Sequence, residues 1–361
     1  MTTANWPRTD PALERAYRRL LRAYPGSYRR RHGTEIVTTL LEMAEPGQQR
    51  PGRSETWHLI ASGIRQRFRV PARPLALIAA VLALLAGGGL GAAAGSWVSE
   101  RTFADVPGPE QTLVLVGTLV PPPGAQEMTA QGEDGTPWFG AMTRGTARSP
   151  GIGQWDSDAA RQRLAADGWR LGPVSHPHST AQILDKDGKP MQVLSTMIRF
   201  QAERDGVRMQ VTAYLDQTSG RVTTELWAIG NASLLPLIVA GALAGMAGGW
   251  LFAAAATHRM RHTDRSRRWA AATLGTAAAL SLAPPVTAFY GNVIRAFEFA
   301  GGTDPVFTVH SALSPTAHWP FGAPWLNLAA LTAGLLLATT MLLMLAPAHH
   351  EPAPEPRPTT N

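Results

Sequence analysis

The stretch LALIAAVLALLAGGGLGAAAGSWV, Leu75 to Val98, decides the reading of this chain. It holds 24 residues and not one Asp, Glu, Lys or Arg. At about 1.5 Å per residue, a helix of that length measures ~36 Å. The hydrocarbon core of a bilayer is only ~30 Å thick. A long polar segment, residues 1–74, precedes the run. A signal peptide has a short leading region, so a retained membrane span is expected instead. Three more uncharged runs follow: Leu234 to Ala256, Ala270 to Phe289 and Leu326 to Leu345. The third is interrupted by Pro284-Pro285, which reads as a kink more readily than as a gating hinge. Trp97, Trp250, Trp269, Tyr290, Trp319 and Trp325 fall near the ends of these runs, where amphipathic rings settle at the membrane–water boundary.

The overall averages conceal this segregation. Mean hydropathy is −0.07 and net charge is +7. Arginine placement gives the expected orientation. Residues 1–74 carry 14 Arg against 6 acids, and residues 257–268 carry 5 Arg against one Asp. The segment 291–324 has one Arg and two acids, and the long segment 99–230 has 12 basic and 15 acidic residues. Short basic segments stay in the cytoplasm. The expected fold is therefore an α-helical integral membrane protein of the cell membrane, with four transmembrane helices, an extracytoplasmic α+β domain and a small cytoplasmic helical N-terminal segment. Its parts are a basic prefix (1–73), span one (75–98), the external domain (99–230) and span two (234–256). A cytoplasmic loop (257–268), span three (270–289), an external loop (291–324), span four (326–345) and a disordered tail (346–361) complete it. Both termini lie in the cytoplasm.

The prefix reads as three short helices. Asp10-Pro11 is a start signal, an N-cap followed by proline in the first turn. Leu13, Tyr17, Leu20, Leu21 and Tyr24 then share one face, and Pro25-Gly26 ends the helix. A second helix is expected over Thr34 to Ala44, burying Ile36, Val37, Leu40, Leu41 and Met43. A third is expected from about Ser54 to Phe68, with Trp57, Ile60, Ala61, Ile64 and Phe68 on its apolar stripe.

The stretch RAYRRLLRAYPGSYRRRHGTEIVTTLLEMAE, Arg15 to Glu45, resembles the prefix segment ahead of the spans in many actinobacterial membrane proteins. Permeases of ABC-type exporters are among them. The matching residues are Tyr17, Arg18, Leu20, Leu21, Tyr24, Pro25, Tyr28, Arg29, His32, Gly33 and Glu35. The resemblance is confined to about residues 11–68. It implies no catalytic residues, and the segment itself reads as a small amphipathic bundle that lies on the inner leaflet or docks a protein partner. Its arginines suit anionic lipid headgroups of the inner leaflet. A DNA-binding helix-turn-helix is the competing reading. Glu35, Glu42 and Glu45 make the middle helix acidic, and no face pairs Arg with Asn or Gln, so no nucleic-acid partner is expected.

In the segment 99–230, Thr112 to Val120 (TLVLVGTLV) reads as a strand that Pro121-Pro122-Pro123-Gly124 stops. Residues 124–153 read as loop with short strands. Asp156-Ser157-Asp158 opens a helix that Gly168 ends, and Trp169 to Val174 reads as a short strand. Gln192 to Ala202 and Val207 to Leu215 read as a hairpin turned at Asp205-Gly206. The sum is a sheet covered by one helix.

Nothing in the sequence assembles an active site. There are no cysteines, which removes disulfides, thiolate metal sites and cysteine nucleophiles. Asp185-Lys186-Asp187-Gly188 lacks the spacing and final Glu of a calcium loop and reads as a turn. His176-Pro177-His178 lacks a third ligand. Asp156 and Asp158 are explained by helix capping. Gly151-Ile152-Gly153 does not open a phosphate loop. His258 and His262 have helical metal spacing but sit among arginines. The tail PAPEPRP spaces its prolines two apart, not three. No cofactor is expected. Neither an ATPase loop nor an ionisable residue within a span is present, which removes the usual chemistry of ATP-driven and proton-coupled transport.

One pattern in the spans is informative. Gly87, Gly91 and Gly95 recur every four residues in span one, as do Gly241, Gly245 and Gly249 in span two. Such faces let backbones approach closely, so the two spans are expected to pair with each other or to form a homo-oligomer. The functional expectation is a non-enzymatic sensor, accessory or scaffold subunit linking an external domain to a cytoplasmic partner. A small permease-like component of an ABC-type export system is the alternative. An enzyme would need polar residues converging at the outer face, and the sequence alone shows no such cluster.

Overall fold

The computed structural model describes residues 11–45, 48–68, 74–120, 127–133, 139–150, 155–184, 190–215, 219–261, 263–314 and 325–346. The helices, in chain order, are α1 (Pro11–Leu20), α2 (Gly26–Glu42), α3 (Arg53–Arg67), α4 (Pro74–Glu100), α5 (Pro109–Leu119), α6 (Ser157–Ala166), α7 (Leu234–Arg261), α8 (Arg265–Glu298) and α9 (Leu326–Met344). The strands are β1 (Met128–Glu133), β2 (Met142–Pro150), β3 (Arg170–Leu171), β4 (His178–Leu184), β5 (Pro190–Arg204), β6 (Val207–Leu215) and β7 (Ser219–Ala228). Helices α4, α7, α8 and α9 are long and apolar enough to cross a membrane. Only 17 to 22 % of their most apolar windows is buried within the chain, so most of that apolar surface faces outward. Contacts divide the chain into two compact units. One comprises Met1–Leu85, Ala247–Thr276 and Ala338–Asn361, the other Ala86–Met246 and Ala277–Leu337.

In the first unit, α1, α2 and α3 bury Leu13, Tyr17, Leu21, Tyr24, Val37, Leu40 and Leu59. Helix α2 begins at Gly26, eight residues before the expected Thr34. Pro25, with ψ 143°, is the last extended residue and caps it. Met43, expected inside, is 68 % exposed. Helix α3 is turned from its expected face. Leu59 and Gly63 point inward, while Trp57 (72 %) and Ile64 (45 %) point out. Gly63 explains the rotation: a Cβ there would lie 2.8 Å from Ala23 Cβ and 2.9 Å from its carbonyl carbon. Close approach through a glycine outweighs the larger apolar stripe. Trp250 Nε1 donates to the Phe68 carbonyl at 2.8 Å, and Ala256, Ala271, Met341 and Leu345 form a small core among α7, α8 and α9.

The second unit holds a seven-stranded antiparallel sheet of order β1-β2-β7-β6-β5-β3, with β4 also paired to β5. Its core joins Val116, Leu119, Leu164, Phe200, Met209, Val211, Leu215, Val222 and Leu226. The β5–β6 hairpin turns at Asp205 (φ 50°) and Gly206 (φ 79°) between paired Arg204 and Val207. Positive φ at both positions is what a two-residue hairpin turn demands, and Asp-Gly supplies it. Asp156 caps α6, its Oδ1 accepting from the N–H groups of Asp158 (2.8 Å) and Ala159 (3.2 Å), and Gly168 at φ 87° follows the helix end.

The expected strand at Thr112 to Val120 is instead helix α5, so two helices cover the sheet. Pro109 sits in its first turn with Glu110, a helix-starting combination. Thr112, Val116 and Leu119 are buried and Val114 is 71 % exposed, a helical rather than an alternating pattern. Packing on the sheet overrides the β propensity of the Val and Thr residues. Gly145 on β2 makes room: a Cβ there would come within 2.8 Å of Thr112 Cγ2. The segment 257–268 is likewise mostly helical, divided between the ends of α7 and α8. Helix α8 continues through Pro284 and Pro285 and on to Glu298, so residues 291–298 are helix rather than loop. Asp185 to Gly188, Gly151 to Gly153, Pro121 to Gly124, His262, Trp319 and the tail 347–361 lie outside the described residues.

Candidate functional site at the helix ends

Polar residues converge where α4, α8 and α9 meet the segment 305–314. Ser96, Asn292, Thr308, Ser311 and Asn327 are all buried. Ser96, one turn from the end of α4, accepts the Val309 N–H at 2.9 Å. Asn292 on α8 donates to the Thr308 carbonyl at 3.0 Å and to Ser311 Oγ at 3.3 Å. Asn327 at the start of α9 donates to the Ala312 carbonyl at 3.2 Å. Three helices thus grip one short segment, each through its backbone. The polar contacts make the segment's 3-10 turn, His310–Leu313, a fixed element.

His310 forms the chemical centre. Its Nδ1 lies 3.3 Å from Ser96 Oγ, and its Nε2 lies 2.6 Å from Glu100 Oε2. The imidazole thus bridges the Ser96 hydroxyl and the Glu100 carboxylate, one ring nitrogen to each. The order serine–imidazole–carboxylate matches that of hydrolytic triads. Ser96 is fully buried, however, and its oxygen already holds a backbone N–H. In this arrangement the row ties α4 to the segment 305–314.

Beside this row lies an open groove of about 630 Å³. Leu90, Ala94 and Trp97 of α4, Phe289 of α8, Phe139 and Leu313 give it apolar walls, and among the described residues Glu100 and His310 are the charged or titratable side chains lining it. Gly140 admits the carboxylate, since a Cβ there would collide with Glu100 Oε1. Arg101 stacks over Trp97 with its guanidinium 3.7 Å from the ring centroid.

The sheet is fastened to the same helix ends. Ser99 Oγ lies 3.0 Å from Ser233 Oγ and 3.4 Å from Asn231 Oδ1. Gln201 Nε2 donates to the Thr303 carbonyl (3.4 Å) and Arg208 to that of Gly302 (3.0 Å). Only residues 229–233 separate β7 from α7, and within them the Ile229 N–H bonds the Gly206 carbonyl at 2.7 Å.

The glycine series form a seam between α4 and α7 of one chain. A Cβ on Gly91 would overlap the Gly241 carbonyl, and one on Gly241 would overlap that of Gly91. Gly95 meets the Leu237 carbonyl, Gly245 that of Gly87, and Gly249 that of Ala83.

The residues of the prefix pattern separate into two groups. Tyr17, Leu21 and Tyr24 are core, with Leu20 and Tyr28 packed against them. Tyr17 OH donates to Glu55 Oε1 at 2.6 Å, and Glu55 Oε2 accepts the Gly52 N–H at 3.1 Å. Burial, reinforced by that carboxylate, pushes the Tyr17 phenol well above the ordinary tyrosine range. Pro25 starts α2, and Arg18, Arg29 and Gly33 line a surface cleft. Arg18 pairs with Glu14 at 2.6 Å, and His32 lies 3.5 Å from Glu35. Among the described residues no group of three His, Asp or Glu is placed to hold a metal ion.

Ser96, Glu100, Asn292, His310 and Asn327 were invisible as a set in the sequence because 231 positions separate the first from the last. The available signal was Asn292 and Asn327, amides bordering apolar runs, where a polar side chain requires a partner. No family model matches the chain, and no curated protein or solved structure matches it either.

Proposed function

We propose that the chain is a multi-pass protein of the cell membrane that couples an external sheet domain to a partner docked on its cytoplasmic prefix. The four apolar helices span the bilayer, and both termini are inside, as the arginine distribution directs. The protein is a non-enzymatic sensor or accessory subunit in this reading. The supporting observation is the rigid fastening of the sheet to α4, α7 and the segment 299–314 described above. A ligand-induced shift in the sheet would move the start of α7 directly, because only residues 229–233 join it to β7. In the prefix, the outward Trp57 and Ile64 of α3 offer an apolar surface, and the surrounding arginines offer charge for anionic lipid. The prefix resemblance supports a second reading, a small permease-like component of an ABC-type exporter.

The lack of native cysteines makes the orientation directly testable. Val114→Cys and Trp57→Cys place single thiols at exposed positions of the sheet domain and the prefix. A membrane-impermeant maleimide should label the first in intact cells and the second only after permeabilisation. Labelling of Trp57→Cys in intact cells overturns the orientation. Purification in mild detergent then tests the coupling role. A cytoplasmic protein retained by the native chain and lost from Trp57→Glu/Ile64→Glu supports it, and an ATPase as that protein favours the exporter reading. Identical retention by both forms refutes docking through α3.

A further inference from the structure

The sheet has one face turned to α5 and α6, where Phe200, Val211 and Val222 join the core. Side chains alternate along a strand, so the residues between those positions project from the other face. The register sets them in rows. Arg148 of β2 stands opposite Arg221 of β7, and Arg221 stands opposite Tyr214 of β6. In the next row Thr146, Thr223, Thr212 and Arg199 follow one another across β2, β7, β6 and β5. Toward the β5–β6 turn this face meets the carbonyls of Gly302 and Thr303 through Arg208 and Gln201. At the end away from that turn Arg148, Arg221 and Tyr214 are exposed.

These two rows hold cations and donors in excess. Like charges directly opposite on neighbouring strands destabilise a sheet, yet Arg148 and Arg221 are such a pair. Arg148 has Glu127 at 3.0 Å, and nearer the turn Arg144 pairs with Glu225 and Arg208 with Glu203. Among the described residues no carboxylate pairs with Arg221 or Arg199, and Arg199 Nε is buried without a hydrogen-bond partner. Nor do the hydroxyls of Thr146, Thr212, Thr223 and Tyr214 bond within the described chain. Guanidinium groups beside hydroxyls are donors for oxyanions. The donors spread over four strands, about 14 Å. A single exposed ion pair contributes little, so a small anion gains little here. A polymer that engages several donors at once gains by linkage and by release of its counterions. We propose that this face binds a linear phosphate-linked polymer, with one charge and two unbridged oxygens in each repeat to meet a guanidinium fork and a hydroxyl. The side of the membrane rests on the orientation proposed above, which puts the polymer outside the cell. The chemistry rests on the face alone. Polymer binding is then the event that the sheet passes to the start of α7.

The test uses the full chain in mild detergent with Thr129→Cys as its single thiol, carrying an environment-sensitive fluorophore. Thr129 is exposed and stands opposite Thr146 at the edge of the row, so the label reads this face and not the arginines of the prefix. Long-chain polyphosphate should give a saturating signal, and orthophosphate at the same phosphate concentration should not. Polyglutamate of matched length should bind more weakly. The double variant Arg199→Gln/Arg221→Gln should weaken polyphosphate binding at least about tenfold at low salt. It should also lower the slope of log affinity against log salt by about 2. Arg221→Gln alone, at an exposed position, should weaken binding about threefold. Its melting temperature should be no lower than that of the native chain, because the repulsion from Arg148 is relieved. No signal from the native chain with polyphosphate overturns the site, as does unchanged affinity in folded Arg221→Gln and double-variant chains. Equal affinity for polyglutamate overturns the phosphate assignment. Impermeant-maleimide labelling of Thr129→Cys separates the site from its premise. Labelling only after permeabilisation overturns the orientation and leaves the polymer site standing.

Discussion

Helix α4 makes two joints within three turns, and they are built on opposite principles. Along Gly91 and Gly95 it meets α7 through backbone alone, and the contact consists of the absence of side chains. At Ser96 and Glu100 it holds the segment 305–314 through a hydroxyl, an imidazole and a carboxylate. The first joint has no titratable group and is governed by volume. The second is governed by polarity. Between apolar helices close packing gives a fixed seam, whereas buried polar contacts reward only complete satisfaction of donors and acceptors.

The contrast is broken most forcefully at the seam. Gly91→Leu places a side chain into the Gly241 carbonyl, with backbone on both sides and nothing flexible to yield. Its cost should reach at least about 3 kcal/mol, the upper range of overpacking. Gly248→Leu, on the same helix α7 as the seam glycines but with nothing within 4 Å of its Cβ, should be near neutral. Thermal denaturation in detergent compares the two. Similar losses for both would show that helix propensity, not the seam, decides. At the polar joint, Ser96→Ala leaves the Val309 N–H and His310 Nδ1 without their shared partner, at a cost of about 2 kcal/mol. Hydrogen exchange at Val309, accelerated in Ser96→Ala and unchanged in Gly248→Leu, is the local readout.

Much of the architecture was legible because it depends on patterns local in sequence. Uncharged runs give the long helices, Asp205-Gly206 gives the hairpin, and Asp156 gives the start of α6. The four-residue glycine spacing marked the seam because both partners carry the same periodicity. What failed was decided by tertiary contact. TLVLVGTLV has strand composition, yet Pro109, Glu110 and the space above Gly145 make it helical. The apolar stripe of α3 turned outward because Gly63 fits against Ala23 more closely than Trp57 or Ile64 would. The polar joint could not be read because each member has an ordinary local role. A serine in an Ala-Gly helix, an asparagine past a span and a histidine in a loop acquire meaning only when 96, 292 and 310 are brought together.

The prefix holds a smaller relative of the polar joint, and it supplies the mildest test of the comparison. Tyr17 is fully buried, and its hydroxyl donates to a carboxylate that also caps α3 at Gly52. Tyr17→Phe removes one donor and leaves Glu55 its backbone partner, so the loss should be only about 1 kcal/mol. The pH dependence is the sharper readout. Burial, then the Glu55 carboxylate, raises the Tyr17 pKa in the folded state. In the unfolded chain the phenol ionises near ~10. Above that pH the unfolded state sheds a proton that the folded state keeps, so the Tyr17 contribution is fully present below ~10 and is lost as pH rises towards the folded value. Thermal melts of the full chain from roughly pH 8 to 11 should therefore fall more steeply for the native protein than for Tyr17→Phe. The seam variants should shift every melt by the same amount across that range, since no titrating group touches the glycines. Parallel curves for the native and Tyr17→Phe chains would remove the phenol from the account, and a pH-dependent seam would dissolve the distinction between a joint made of shape and one made of charge.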